Sequence, residues 1–268
     1  MILDGKQIGP DHPPYFIADM SLNHGGSLKT AKDLIALAAQ AGCDAIKPQL
    51  YSPDELCRPG TIAKDGPWAG EDMWELYRKY QTPRSWIPEL METARQHKIT
   101  LFFSVFSTTA VDLLNQFETP AYKISTSDYA WSKLRERCRA TGKPTFVSVP
   151  KMEATPEIPL LNRPGYPCPL HDADLPELKK GTGVFGFSSH VMDPIVFPMA
   201  VALGASIIEL NIIRSLSEGG PDASFSWEPW QIKQIREDTL KAWRAMRSQE
   251  DKAPSMMRNA KTGLREVA

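Results

Sequence analysis

Cysteine is scarce in this chain, and its spacing is uninformative. Cys43, Cys57, Cys138 and Cys168 form no CxxC pair, which argues against a zinc cluster and against a disulfide framework. Charge of one sign is lacking too. The 31 basic and 32 acidic residues leave a net charge of −1, so nothing marks nucleic acid or an anionic membrane surface as a partner. No apolar run reaches the ~18 residues of a spanning helix. Residues 1–14, MILDGKQIGPDHPP, are polar and carry proline, unlike a secretory leader. Internal repeats and low-complexity stretches are missing as well. A cytoplasmic protein acting on small molecules is the expectation.

What is present is a long alternation of strand-like and helical patterns. The chain has 268 residues, 42% of them hydrophobic, enough for one barrel-sized core. Strand patterns fall at YFIADM (15–20), DAIKPQLY (44–51), ITLFFSVF (99–106), AYKIST (121–126), KPTFVSV (143–149), PEIPLLN (156–162), GVFGFSS (183–189) and ASIIELNII (205–213). Amphipathic helical patterns separate them: 27–42 closing on Gly42, 71–80, 84–97, 108–117, 131–142, about 173–180 and 194–203. A long one follows the last strand. This order predicts an α/β protein, a (β/α)8 TIM barrel, spanning 1–248 as a single domain with a polar tail over 249–268. One unit is too short. The link between FVSV and PEIPLLN cannot hold the dozen or so residues of a parallel crossover, so the helix after strand five is expected to be missing.

In such a barrel, chemistry gathers at the C-terminal ends of the strands. This sequence places there Asp19 with Asn23 and His24, Lys47 with Gln49, Ser104 with Ser107, Lys123 with Ser125, Thr126 and Asp128, Ser148, Asn162 with Arg163, Ser188 with Ser189 and His190, and Glu209 with Asn211 and Arg214. Lys47 and Lys123 interrupt otherwise apolar strands, where an unpaired ammonium is costly. Two lysines among hydroxyls suit a small dianion such as a phosphate joined to a carboxylate. The plainer reading pairs either lysine with Asp19 or Asp128, and treats His24 alone as a surface histidine.

The stretches FIADMSLNHGGSLKTAKDLI, AGCDAIKPQ, FFSVFS, AYKISTSD, TGKPTFVSV, YPCPLHDADLPELK, GFSSHVMDP, ALGASIIELN and GGPDASFS together resemble the catalytic barrel of the N-acetylneuraminate (sialic acid) synthase family. The resemblance implies condensation of phosphoenolpyruvate with a sugar aldehyde of the N-acylmannosamine type, or a variant of it, giving a nonulosonic acid and phosphate. It implies that Lys47, Ser104, Lys123, Thr126 and Ser148 hold phosphoenolpyruvate. It makes Asp19 and Asp128 the catalytic acids. Asn23, His24, Gln49 and Tyr166 become substrate-binding residues, with Asn23 and His24 on the floor of the site. A divalent metal, Mn²⁺ or Mg²⁺, falls to His190 and Asn162. A homodimer is a further implication, and the family's small antifreeze-like C-terminal domain is expected to be lacking.

This sequence departs from the family pattern at identifiable places. Asn162 stands where the family has a histidine, and asparagine is a neutral, weaker ligand. Asp19 and Asp128 stand for glutamates, Asn211 for a histidine, and Ser189 for an aspartate. The anion half of the pattern is kept and the aldehyde half is altered. Two other readings fit the same residues: a non-catalytic barrel that binds a phosphorylated ligand or a partner protein, and a metal-free aldolase or lyase using Lys123 as a Schiff base.

Overall fold

The computed structural model describes residues 1–247 of the 268, and the predicted tail over 249–268 lies outside them. Eight strands form the barrel: β1 (Tyr15–Asp19), β2 (Ala45–Lys47 continued by Gln49–Leu50), β3 (Thr100–Leu101 continued by Phe103–Val105), β4 (Tyr122–Ile124), β5 (Thr145–Val149), β6 (Ile158–Leu161), β7 (Gly186–Ser188) and β8 (Ile207–Asn211). Pro48, which has no N–H to donate, splits β2, and Phe102 splits β3. The ten hydrogen-bonded segments of the sheet are therefore eight strands. Each strand pairs in parallel with its sequence neighbour, and β8 pairs with β1, so the ring closes.

Eight α-helices are described: α1 (Leu28–Gln40), the short α2 (Pro53–Leu56), α3 (Met73–Tyr80), α4 (Ile87–Gln96), α5 (Thr108–Asn115), α6 (Ser132–Arg139), α7 (Val196–Ala202) and α8 (Pro229–Met246). Three of them start on a side-chain cap. Ser27, Asp72 and Ser107 accept backbone N–H groups at the starts of α1, α3 and α5, as N-caps do. Gly42 takes φ +86° just past α1, a conformation that favours glycine.

No helix follows β5, as the short link required. The wall there is covered instead by an ion-pair network. The buried Glu157 carboxylate accepts from Arg135 Nη2 at 2.7 Å and Arg139 Nη1 at 2.5 Å, both on α6, and Met152 is buried beside it. The helix expected near 173–180 is a 3₁₀ segment, Leu175–Lys180, preceded by another at Leu170–Asp172. Proline at its start and glycine at its end leave little room for α-helical propagation.

The interior divides into two ends. At the N-terminal end, Ile17, Ala45, Phe102, Phe146, Leu160 and Ile207 fill the barrel. Leu3 and Ile8 close it from a small hairpin that pairs Ile2–Leu3 with Lys6–Gln7. Gly186 is required where β7 squeezes between its neighbours: a Cβ there would sit 2.5 Å from Leu160 Cδ2 and 2.6 Å from the Ile207 carbonyl oxygen. The apolar plug fills the N-terminal end, and a polar cavity opens at the opposite, C-terminal mouth. No helix among the described residues is long and apolar enough to cross a membrane.

Candidate active site

A cavity of about 440 Å³ opens at that mouth. Strand register builds its floor. Asp19 on β1 pairs with Lys47 on β2, Ser104 on β3 pairs with Lys123 on β4, and Ser188 on β7 pairs with Glu209 on β8. Lys47 and Lys123 are only 2% and 3% exposed, and both line the cavity. Lys47 Nζ donates to Asp19 Oδ2 at 2.5 Å and to Ser104 Oγ at 2.9 Å. Lys123 Nζ donates to Ser148 Oγ at 2.5 Å and lies 3.5 Å from Glu209 Oε1. Ser188 Oγ donates to the same Glu209 oxygen at 2.9 Å. The two buried ammonium groups are thus matched by two buried carboxylates.

The electrostatics follow from that matching. Burial pulls the Lys47 ammonium down, but Asp19 and Glu209 outweigh it and hold its pKa above the usual lysine value. Lys123 goes the other way, because burial and the like charge of Lys47 outweigh Glu209. Burial favours the neutral form of Glu209, yet Lys123 and Lys47 hold the carboxyl below its usual range. The floor is a quartet of two lysines and two acids, all four lining the cavity.

The opposite wall is aromatic. The Tyr166 ring lies 4.5 Å from that of His190 and 5.2 Å from both Trp68 and Phe225. Trp68 reaches this wall from the long β2–α3 connection and donates its Nε1–H to the Pro221 carbonyl at 2.9 Å. Below it sits Asp222, pushed up to about 6 by burial. Its Oδ2 accepts from Ser21 Oγ and from the Leu22 N–H. Its Oδ1 is buried without a partner among the described residues.

The structure brings Asp19, Lys47, Gln49, Ser104, Lys123, Thr126, Ser148, Asn162, Tyr166 and His190 to this one cavity. Three expected residues are elsewhere. Asp128 is folded back on its own turn, accepting from Ser125 Oγ at 2.6 Å and Ser127 Oγ at 3.2 Å. Those serines, not Asp128, face the cavity. Asn23 ties two loops together, donating to the Ile212 carbonyl and to Ser226 Oγ at 2.8 Å each. His24 is buried outside the cavity, its ring edge-on to Trp86, with Nδ1 accepting from the Gly26 N–H at 3.1 Å. Burial lowers its pKa to about 4, so it is a neutral brace and no part of the floor. Sequence spacing could not separate these, because a tight turn can aim its side chains inward or into itself.

Ser21, Trp68 and Phe225 lie outside the site residues to which the sequence points. Asp222 and Phe225 stand inside a matching stretch. Trp68 lies in a polar segment that carries no periodic signal. Ser21 is a single hydroxyl in a loop already crowded with polar residues.

The expected metal pair meets a poor donor set. Both ends of the Asn162 amide are engaged: Oδ1 accepts from Thr126 Oγ1 at 2.9 Å, and Nδ2 donates to the Ser188 carbonyl at 3.0 Å. His190 Nδ1 and Glu209 Oε2 are buried without partners among the described residues. Those residues hold no group of three His, Cys, Asp or Glu side chains able to grip an ion. Hard divalent ions take about six ligands, largely oxygen, so these residues do not fit the two-imidazole arrangement that the resemblance implies.

Comparison with known proteins finds relatives along most of the chain. Pseudaminic acid synthases of Campylobacter jejuni and Helicobacter pylori are 33% and 31% identical to the chain, covering 81% of it and 70% of their own length. Human N-acetylneuraminate-9-phosphate synthase is 25% identical over 86% of the chain and 70% of its own. The crystal structure of an N-acetylneuraminic acid (sialic acid) synthetase from Leptospira borgpetersenii, in complex with citrate, superposes with a TM-score of 0.88 at 23% identity. That match covers 100% of this chain and 96% of the other, and shows the shared barrel. The NeuB family model matches residues 34–251, and with a barrel whose lysines, serines and acids converge on one mouth, the chain belongs to the NeuB family.

Proposed function

We propose that the protein condenses phosphoenolpyruvate with an N-acylated sugar aldehyde, releasing inorganic phosphate and a nonulosonic acid. The observation that carries this reading is the floor: Lys47 and Lys123 side by side among Ser104, Ser125, Thr126, Ser148 and Ser188. Phosphoenolpyruvate presents a phosphate and a carboxylate on a three-carbon enol. Two ammonium groups and a ring of hydroxyl donors neutralise and orient both anions. An incoming anion competes with Asp19 and Glu209 for the lysines, which keeps those carboxylates beside the reacting carbons.

The acceptor then occupies the aromatic wall. Tyr166, Phe225 and Trp68 take the apolar face of a sugar chain, while His190, Asn211 and Asp222 supply polar partners. The enol carbon attacks the aldehyde carbon, the new C–C bond forming as the C=O π bond opens to an alkoxide, which takes up a proton to become the product hydroxyl. Positive charge developing at the phosphate-bearing carbon is quenched by water, and Asp19, hydrogen-bonded to Lys47, orients that water and takes its proton. The tetrahedral intermediate expels phosphate, whose leaving charge the lysines offset. A cavity of about 440 Å³ lies within the range of small-ligand sites.

A binding-only barrel is the second reading, and the engaged Asn162 amide favours it. Phosphate release from phosphoenolpyruvate, followed with a panel of N-acylated mannosamine-type and other sugar aldehydes, separates the two. Acceptor-dependent release that Lys123→Met abolishes supports condensation. Calorimetric binding of phosphoenolpyruvate with no release under any acceptor supports the binding barrel.

A further inference from the structure

We propose that Ser21 is a positioning residue that clamps the Asp19 and Asp222 carboxyls on either side of itself and so fixes the acceptor end of the cavity. The proposal rests on the condensation reading above for its purpose, though not for its geometry. Ser21 is buried in the loop after β1 and lines the cavity. Its backbone N–H donates to Asp19 Oδ1 at 2.9 Å. Its side-chain Oγ donates to Asp222 Oδ2, and the next N–H, from Leu22, reaches that same oxygen at 3.0 Å. One residue therefore bridges an acid on β1 and an acid in the loop after β8, the latter 201 residues beyond Ser21 in sequence.

The backbone shows what this costs. Ser21 takes φ +48°, the left-handed region that a residue with a Cβ adopts only under constraint. Such strain persists where the surroundings over-determine it, and it concentrates at functional sites. Here the left-handed turn aims the N–H and the hydroxyl at different carboxyls.

The consequence falls on Asp222. Ser21 and Leu22 occupy Oδ2, leaving buried Oδ1 to take a donor from a ligand. The charged and titratable groups around Asp222 are Asp19 with Lys47 behind it on the barrel floor, and the Tyr51, Tyr77 and Tyr166 hydroxyls from the β2, α3 and β6–β7 segments. Burial raises the Asp222 carboxyl most, and the Ser21 hydroxyl is the foremost group holding it down. With the hydroxyl in place, Asp222 is mostly a carboxylate at neutral pH and accepts from the substrate. Without it the carboxyl stays protonated to higher pH.

Two variants test this. Ser21→Ala removes the hydroxyl and keeps the strained backbone; Ser21→Gly removes the hydroxyl and relieves the strain. The ligand-free protein, labelled with carboxyl-¹³C aspartate, is titrated by NMR, with the Asp222 resonance assigned from Asp222→Asn. Both variants are expected to raise the Asp222 midpoint by the same amount, about one pH unit. The acid limb of kcat/KM for the acceptor is expected to move up in parallel, with the KM for phosphoenolpyruvate unchanged. An unmoved midpoint in both variants, or a shift in the glycine variant alone, overturns the proposal. Because the titration needs no turnover, failure of the condensation reading leaves this result legible.

Discussion

At the level of single residues, the site is a set of buried charges that survive only as pairs. Lys123→Met removes the first of the two lysines that compensate Glu209 in the barrel interior, and removing one member of a buried pair typically costs about 3–5 kcal/mol. The expected outcome is a markedly lower denaturation midpoint together with at least a tenfold loss of phosphoenolpyruvate affinity, about 1.4 kcal/mol, read by calorimetry. His24 gives a second residue-scale prediction. Its folded pKa of about 4 lies below the ordinary 6.5, so the unfolded chain binds the proton more readily. The neutral histidine's contribution is fully present above pH 6.5 and is lost as pH falls toward 4, up to about 3 kcal/mol. His190, also lowered to about 4 by burial, acts in the same sense. Asp222, raised to about 6, opposes them, since its contribution is complete below its unfolded value near 3.8 and fades as pH rises through 6. His24→Gln is expected to flatten the acid side of a thermal-denaturation profile between pH 6.5 and 4. An unchanged slope counts against a buried neutral His24.

The strands and helices carry a different lesson. Gly186 has no turn to make; it is glycine because Leu160 and the Ile207 backbone crowd β7. Gly186→Ala is expected to cost about 1–3 kcal/mol as an overpacking change, measured as a shift in the urea midpoint. The missing helix after β5 is legible in the sequence because a short link cannot hold one. What replaces it was not legible: Glu157 reads as an ordinary strand-edge acid, yet Arg135 and Arg139 from α6 converge on it. Glu157→Gln is expected to lower stability by about 1.5–3 kcal/mol, the weight of hydrogen bonds to a charged group. The 3₁₀ segment at Leu175–Lys180 shows the limit of periodicity, which marks an apolar face but does not fix the number of residues per turn.

For the whole molecule, one apolar plug and one polar mouth make the barrel directional. A ligand held only by the folded mouth stabilises the entire fold, by about 2.7 kcal/mol at a hundredfold excess over Kd. Phosphoenolpyruvate is therefore expected to raise the melting temperature of the protein and to leave that of Lys123→Met unmoved, a contrast that differential scanning fluorimetry reads directly. The metal question also belongs to the assembled mouth. Asn162→His restores a second imidazole beside His190 and is expected to tighten Mn²⁺ binding at least tenfold over the unmodified chain, measured by calorimetry. Equal affinity in both proteins would mean that other groups hold the ion.

The sequence by itself determined the barrel, the strand order and the polar identity of the mouth, because strand periodicity, crossover length and lysines set in apolar runs are local properties. It also carried the resemblance to a sialic acid synthase barrel. Only the tertiary structure decided which loop side chains face the cavity. Asp128 turns into its own loop and Asn23 and His24 brace distant segments, while Ser21, Trp68 and Asp222, distant in sequence, meet at one wall. Those outcomes depend on the φ of single loop residues and on contacts between segments as far apart as Ser21 and Asp222, which no local pattern encodes.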